Sequence, residues 1–222
     1  MGNLSENSSS YYDKNKWYEI FSIAEDYPKL IDKFFLENIK TETILDAGCG
    51  TGKYTKLFSN ISKNYIGIDK SQVQINTAKS KFNVNYITSD LNDIPLENKS
   101  INITICPWVL GTIPEEKRKE VIKELIRVTK NKIILIENLP NSDFEYIRGH
   151  NLDGTTEKYL SFLKNNKFKL HETINTYFKF ETIEDVQNVF LNIYNKQISN
   201  RINSNIIKHD VGIYILEDLN DL

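Results

Sequence analysis

The sequence predicts an α/β chain built on a doubly wound, mostly parallel seven-stranded sheet, and three observations carry that expectation. Short β-branched runs alternate with longer amphipathic stretches from about residue 40 to residue 140, the pattern of strands joined by crossover helices. The first of those runs ends in a glycine-rich loop, "ILDAGCGTGKYT". Two long β-like segments then close the chain, a change of pattern that places the last strand antiparallel to the rest.

The strands read as 43 to 48, 65 to 70, 84 to 90, 101 to 108 and 132 to 138, with closing segments at 168 to 180 and 211 to 218. Helices are expected at 53 to 60, 71 to 81, 114 to 130, 155 to 166 and 182 to 202. The helix from 114 carries Val121, Ile122, Leu125, Ile126 and Val128 on one stripe. It opens with Pro114, Glu115 and Glu116, as a helix N-terminus prefers. Before residue 40, "WYEIF" and "YPKLIDKFF" read as two short helices packed over the top of the sheet. No internal repeat and no Gly-, Ser- or Pro-rich linker divides the chain. We therefore expect a single domain over 1–222, with a helical lid at 1–40, a ligand-binding core at 41–140, and substrate-side loops and closing strands at 141–222.

A chain of 222 residues with 40% hydrophobic and 26% charged side chains buries a sizeable core and fits neither the disordered nor the disulfide-scaffold class. The formal net charge is -2 and the lysines form no dense run, so the usual footprint of nucleic-acid binding is missing. The two cysteines, Cys49 and Cys106, sit near strand ends and read as reduced core residues. No apolar signal region or membrane-length apolar run is visible, and a cytoplasmic location is the simplest expectation. No group of His, Cys, Asp and Glu has metal-ligand spacing. The oligomeric state is not legible.

In an open parallel sheet a ligand sits beyond the carboxyl ends of the strands, where strand order reverses. Glycines there permit a tight turn and let a ligand touch bare backbone, while a helix starting near Lys53 would aim free N–H groups into the same crevice. A dinucleotide fingerprint requires a third glycine at position 53, which is Lys53; the glycines instead fall at 48, 50 and 52. An acid, Asp69, ends the second strand about 20 residues on, where ribose hydroxyls could be held. Asp90 ends the third strand in "ITSDLNDIPL".

The Gly48-x-Gly50-x-Gly52 spacing after Asp46, with Asp69, Asp90 and the stretch "ITICPWVLGTIPEEKRKEVIKELIRV", resembles the class I S-adenosylmethionine-dependent methyltransferases over residues 40 to 140. The resemblance implies a Rossmann-like fold, S-adenosyl-L-methionine as cofactor and S-adenosyl-L-homocysteine as product. It implies cofactor contacts from Asp46, Ala47, Gly48, Cys49, Gly50, Gly52, Asp69, Lys70, Asp90, Leu91 and Cys106. It also implies in-line methyl transfer, which needs alignment above all, and a base only if the acceptor must lose a proton.

Two departures narrow the acceptor. Family members that methylate base amines or glutamine amides carry an Asp/Asn-Pro-Pro-aromatic tetrad, where this chain has Cys106-Pro107-Trp108-Val109, without the polar first residue. The histidine pair that many small-molecule members place in the following loop is also missing from "VLGTI". Candidate catalytic groups are therefore Glu137 at the end of the fifth strand, His150 beyond it, and Tyr12 in the lid. Candidate substrate contacts are Tyr11, Trp17, Tyr18, Trp108 and Arg148, by ring stacking or by a guanidinium fork on an anion. His171 and His209 read as structural. The expected partner is a small-molecule metabolite, with no membrane and no nucleic acid; methylation of RNA or protein, a non-catalytic cofactor-binding protein, and a nicotinamide-dependent dehydrogenase are the alternatives.

Overall fold

The computed structural model describes residues 15 to 219. Its sheet has seven strands in the order β3-β2-β1-β4-β5-β7-β6. β1 (Thr41–Ala47), β2 (Ser62–Asp69), β3 (Asn85–Thr88), β4 (Ile101–Pro107) and β5 (Thr129–Asn138) run parallel, while β7 (Ile206–Leu216) lies antiparallel between β5 and β6 (Lys169–Lys179). The chain builds outward from β1 to β3 and then returns to place β4 on the other side of β1. That reversal leaves a crevice beyond the carboxyl ends of β1 and β4.

Helices cover both faces. On one, α2 (Leu30–Asn38), α3 (Thr55–Ile61) and α4 (Gln72–Lys81) bury Ile31, Phe34, Phe35, Phe58, Ile75 and Ala78 against the sheet. On the other, α5 (Glu115–Val128) lays down the stripe of Val121, Ile122, Leu125 and Val128, with α8 (Thr155–Asn165) beside it through Tyr159 and Leu163. A third apolar cluster joins the far end of β6 and β7 to α1 (Asn15–Ala24), α6 (Asp143–Arg148) and α9 (Ile183–Ile193), and the short α7 (His150–Asp153) and α10 (Lys196–Ser199) lie nearby. Phe178, fully buried, packs its ring 4.8 Å from Phe21 and 5.0 Å from Phe144 at the heart of that cluster.

Two expectations change. The segment read as one helix over 182 to 202 breaks into α9 and α10, because Asn195 is extended and its side chain accepts the Ile198 amide as a new cap. Of the two helices expected above the sheet, only α1 roofs it. Ile31, Phe34 and Phe35 draw α2 onto a face, and its start is fixed by Asp26, whose carboxylate accepts the Leu30 and Ile31 amides at 3.0 and 2.9 Å and the Thr176 hydroxyl of β6.

α6 carries a buried acid. Glu145 is fully buried and accepts from Arg148 Nη1 at 2.8 Å, from Asn138 Nδ2 at 3.1 Å and from the Thr156 hydroxyl, with His150 Nδ1 3.3 Å away. Burial alone would raise its pKa; the His150 hydrogen bond, the Arg148 charge and the Thr156 hydroxyl outweigh it and hold the pKa down at about 2. A depressed carboxylate stabilises the fold above its ordinary value of 4.5 and loses that contribution as pH falls toward 2. Acid unfolding followed by circular dichroism is thus expected to steepen below pH 4.5, and Glu145→Gln to remove that part of the pH dependence while lowering the melting temperature at pH 7. Phe178→Ala is expected to cost about 3 to 5 kcal/mol in urea titrations with the slope unchanged.

Candidate active site at the carboxyl edge of the sheet

The loop after β1 turns back over the strand because its glycines take left-handed backbone: Gly48 φ 81°, Gly50 φ 54° and Gly52 φ 86°. The Gly48 and Cys49 amides both donate to the Ile68 carbonyl of β2, at 2.7 and 2.9 Å. A Cβ at Gly48 would overlap the Val109 methyls, whereas one at Gly50 would meet nothing nearer than the Tyr18 hydroxyl at 3.6 Å. Close packing therefore dictates glycine at 48, and a bare backbone surface results at 50.

Asp69 closes β2 beside this surface. Its Oδ2 accepts the Gly50 amide at 3.0 Å and its Oδ1 the Ser71 amide at 2.8 Å, which fixes the carboxylate at the crevice with further lone pairs available. Burial raises its pKa against the lowering effect of those two amides. Bare backbone at Gly50 next to an oriented carboxylate fits the ribose end of S-adenosylmethionine. Asp90 stands exposed two residues past β3 with its Oδ1 accepting the Asn92 amide at 3.2 Å; Leu91 is buried beside it and Lys70 is exposed next to Asp69. Ala47 and Cys49 are buried in the loop and the strand below it.

Asp46 and Cys106 turn their side chains into the protein. Asp46 is 1% exposed beneath the loop, where its Oδ2 accepts from Tyr65 Oη at 2.9 Å; burial pushes it up to about 7. Tyr65 continues to Thr55 Oγ1 at 3.0 Å, which meets Tyr86 Oη at 2.6 Å, so this network supports the loop from below. Cys106 is fully buried and packs into the α5 face. Lys53 does not start a helix: residues 51 to 54 form a turn and α3 begins at Thr55. Its amine turns to the lid instead.

Tyr11 and Tyr12 lie outside the described residues. On α1, Tyr18 stands over Gly50, and Glu19 accepts from the Thr51 hydroxyl and from Lys81. Trp17, half-buried, packs with Ile20 against the cluster of Phe21 and Phe190. Near the end of the same helix Glu25, 6% exposed, pairs with Lys53.

Trp108, directly after β4, adopts φ 53°, a conformation that a bulky side chain takes only when its surroundings impose it. Its amide donates to the Ile136 carbonyl at 2.8 Å, and its ring stacks between Tyr54 at 6.3 Å and His209 at 5.9 Å. Glu137 points toward α8: its Oε1 accepts from Tyr159 Oη at 2.6 Å, and burial pushes its pKa up to about 8 against that hydrogen bond and the Arg118 charge. Arg148 and His150 are engaged with Glu145. The spacing of the sequence brings out Asp69, Tyr18 and Trp108; it gives no sign of Glu25, Lys53 and His209, which come together from α1, the glycine loop and β7.

Residues 44–132 match the family model of a methyltransferase domain. An uncharacterized protein of Methanocaldococcus jannaschii is 26% identical over 194 residues, 79% of this chain and 72% of that protein. The tRNA (carboxymethyluridine(34)-5-O)-methyltransferase of Arabidopsis thaliana is 37% identical over 98 residues, 43% of this chain and 24% of that protein. In fold, the chain is similar to the magnesium protoporphyrin IX methyltransferase of Synechocystis PCC 6803 solved with bound S-adenosylhomocysteine, with a TM-score of 0.58 and 15% identity over 94% of this chain and 95% of that one. The strand order and the glycine loop agree with the family match: residues 44–132 match a methyltransferase domain, set in a seven-stranded fold shared with solved methyltransferases.

Proposed function

We propose that this methyltransferase acts on a small-molecule metabolite. When bound, S-adenosylmethionine supplies a methyl group on a positively charged sulfur, already activated toward a nucleophile. Asp69 would hold the ribose hydroxyls, the backbone of Gly48 to Gly52 would take the rest of the donor at close approach, and Asp90 with Leu91 would border the base. The observation that carries the small-molecule reading is the roof: α1 sets Tyr18 over Gly50, ties Glu19 to Thr51 and Lys81, and buries Glu25 on Lys53. A crevice covered by a helix suits a compact acceptor, and such a cover limits the access of water to the reacting atoms.

The side chains at this rim favour an acceptor that arrives ready to attack. Glu137 is protonated near pH 7 and bonded to Tyr159, and His150 is held against Glu145. Both are poorly placed to take a proton from a group near Gly50. Methylation of RNA remains the second reading, favoured by the tRNA methyltransferase among the relatives. Incubation of the purified protein with methyl-labelled S-adenosylmethionine and cell extract, followed by separation, decides between them. Label in the small-molecule fraction is expected; label in RNA or protein would overturn the proposal.

Asp69→Ala is expected to weaken S-adenosylhomocysteine binding by about 1 to 3 kcal/mol in calorimetry, through loss of charge-assisted hydrogen bonds; unchanged affinity would refute the ribose assignment. For Glu137 the folded pKa of about 8 lies above the ordinary 4.5, so its protonated form stabilises the fold below pH 4.5 and that contribution is lost as pH rises toward 8. Glu137→Gln is expected to flatten the fall of melting temperature across that window, and an unaltered slope would contradict the burial argument.

A further inference from the structure

Around Glu25 the hydrogen-bonding groups do not match their occupant. Its Oε2 pairs with Lys53, whose Nζ sits 4.9 Å from the centroid of the Trp108 ring and 5.2 Å from that of Tyr54. Tyr54 Oη, Trp108 Nε1 and His209 Nδ1 are all buried and have no hydrogen-bond partner among the described residues. Tyr54 is 5% exposed and His209 is 0% exposed. A buried polar atom without a partner is costly, and several beside one ion pair point to a missing ligand.

The chemistry of these atoms differs. Trp108 Nε1 can only donate, and Tyr54 Oη can donate. His209 Nε2 lies 2.8 Å from Asn138 Oδ1, while Asn138 Nδ2 donates to Glu145, so the relay puts the histidine proton on Nε2. Nδ1 therefore presents a lone pair, 3.5 Å from Glu25 Oε1. Burial, helped by the Lys53 charge, lowers the His209 pKa to about 3 and keeps the ring neutral. Glu25 thus answers Lys53 but leaves two donors unused and faces a lone pair with an oxygen.

We infer that Glu25 stands in for the carboxylate of the acceptor substrate: the Lys53, Tyr54 and Trp108 donors take a small acid, and His209 Nδ1 accepts from a hydroxyl or amine next to that acid group. This rests on the small-molecule reading above and deepens it to a class, small carboxylic acids with a neighbouring O–H or N–H. A carboxylate also carries no proton at neutral pH, consistent with the poor placement of Glu137 and His150 as bases. On binding, the acid replaces Glu25 on Lys53, and the end of α1 gives way.

The test is calorimetry on the full chain with mandelate, which has a carboxylate beside a hydroxyl, against phenylacetate, which lacks the hydroxyl, and inorganic phosphate. Mandelate is expected to bind about tenfold more tightly to Glu25→Gln than to wild type, since the competing ion pair is weakened. It is expected to bind several-fold more tightly than phenylacetate, and to lose affinity in Lys53→Met. Tyr54→Phe removes only a hydroxyl without a partner, so it is expected to keep its melting temperature and still weaken mandelate; it gives the answer even where the charge variants do not fold. Equal affinity across these proteins, or a preference for phosphate, would overturn the inference. No methyl donor is present in the titration, so its failure leaves the labelled-extract result standing, and the reverse holds.

Discussion

The backbone of residues 48 to 52 is the constraint on which the carboxyl edge of this molecule depends. Gly48 has no room for a side chain because Val109 fills the space, and the turn it makes brings the Gly48 and Cys49 amides to one carbonyl, that of Ile68. From there each neighbour takes its place by contact. Asp69 is oriented by the Gly50 amide, Tyr65 and Asp46 brace the loop from beneath, and α1 closes on it from above through Glu19 and Glu25. A loop held from three sides changes shape little, and a rigid cradle is what alignment-limited chemistry requires.

Two buried carboxylates show how the fold treats charge near this edge. Glu145 is surrounded by Arg148, His150, Thr156 and Asn138 and stays ionised. Glu137, only eight residues earlier, has chiefly the Tyr159 hydroxyl as partner, and burial keeps it protonated near neutral pH. The difference is the number of cationic and donor groups each can reach, not depth, since both are almost wholly buried. Glu145 in turn orders the Asn138 and His209 relay, so a purely structural acid sets which nitrogen of a histidine faces the crevice.

Local pattern carried much of the structure. Glycine spacing, the acid at the end of β2 and the strand–helix alternation are short-range signals, and they were sufficient for the parallel sheet and for Asp69. Trp17 and Tyr18 mark the limit: adjacent residues on a helix point about 100° apart, and the stripe of Trp17, Phe21 and Ala24 at helical spacing sets Trp17 against the apolar cluster while Tyr18 faces Gly50. The Glu25, Lys53 and His209 group left no such trace. Those residues are brought together only by the docking of α1 on the glycine loop and by the insertion of β7 between β5 and β6, and neither event has a signature in local spacing.

The crevice beyond β1 and β4 suits a sulfonium nucleoside better than a dinucleotide, with Lys53 where a third dinucleotide glycine would stand. Calorimetric titration of the wild-type protein with S-adenosylhomocysteine and, separately, with NAD addresses it directly. Saturable binding of S-adenosylhomocysteine at one site per chain, with no heat from NAD, is expected. Binding of NAD in its place would contradict it.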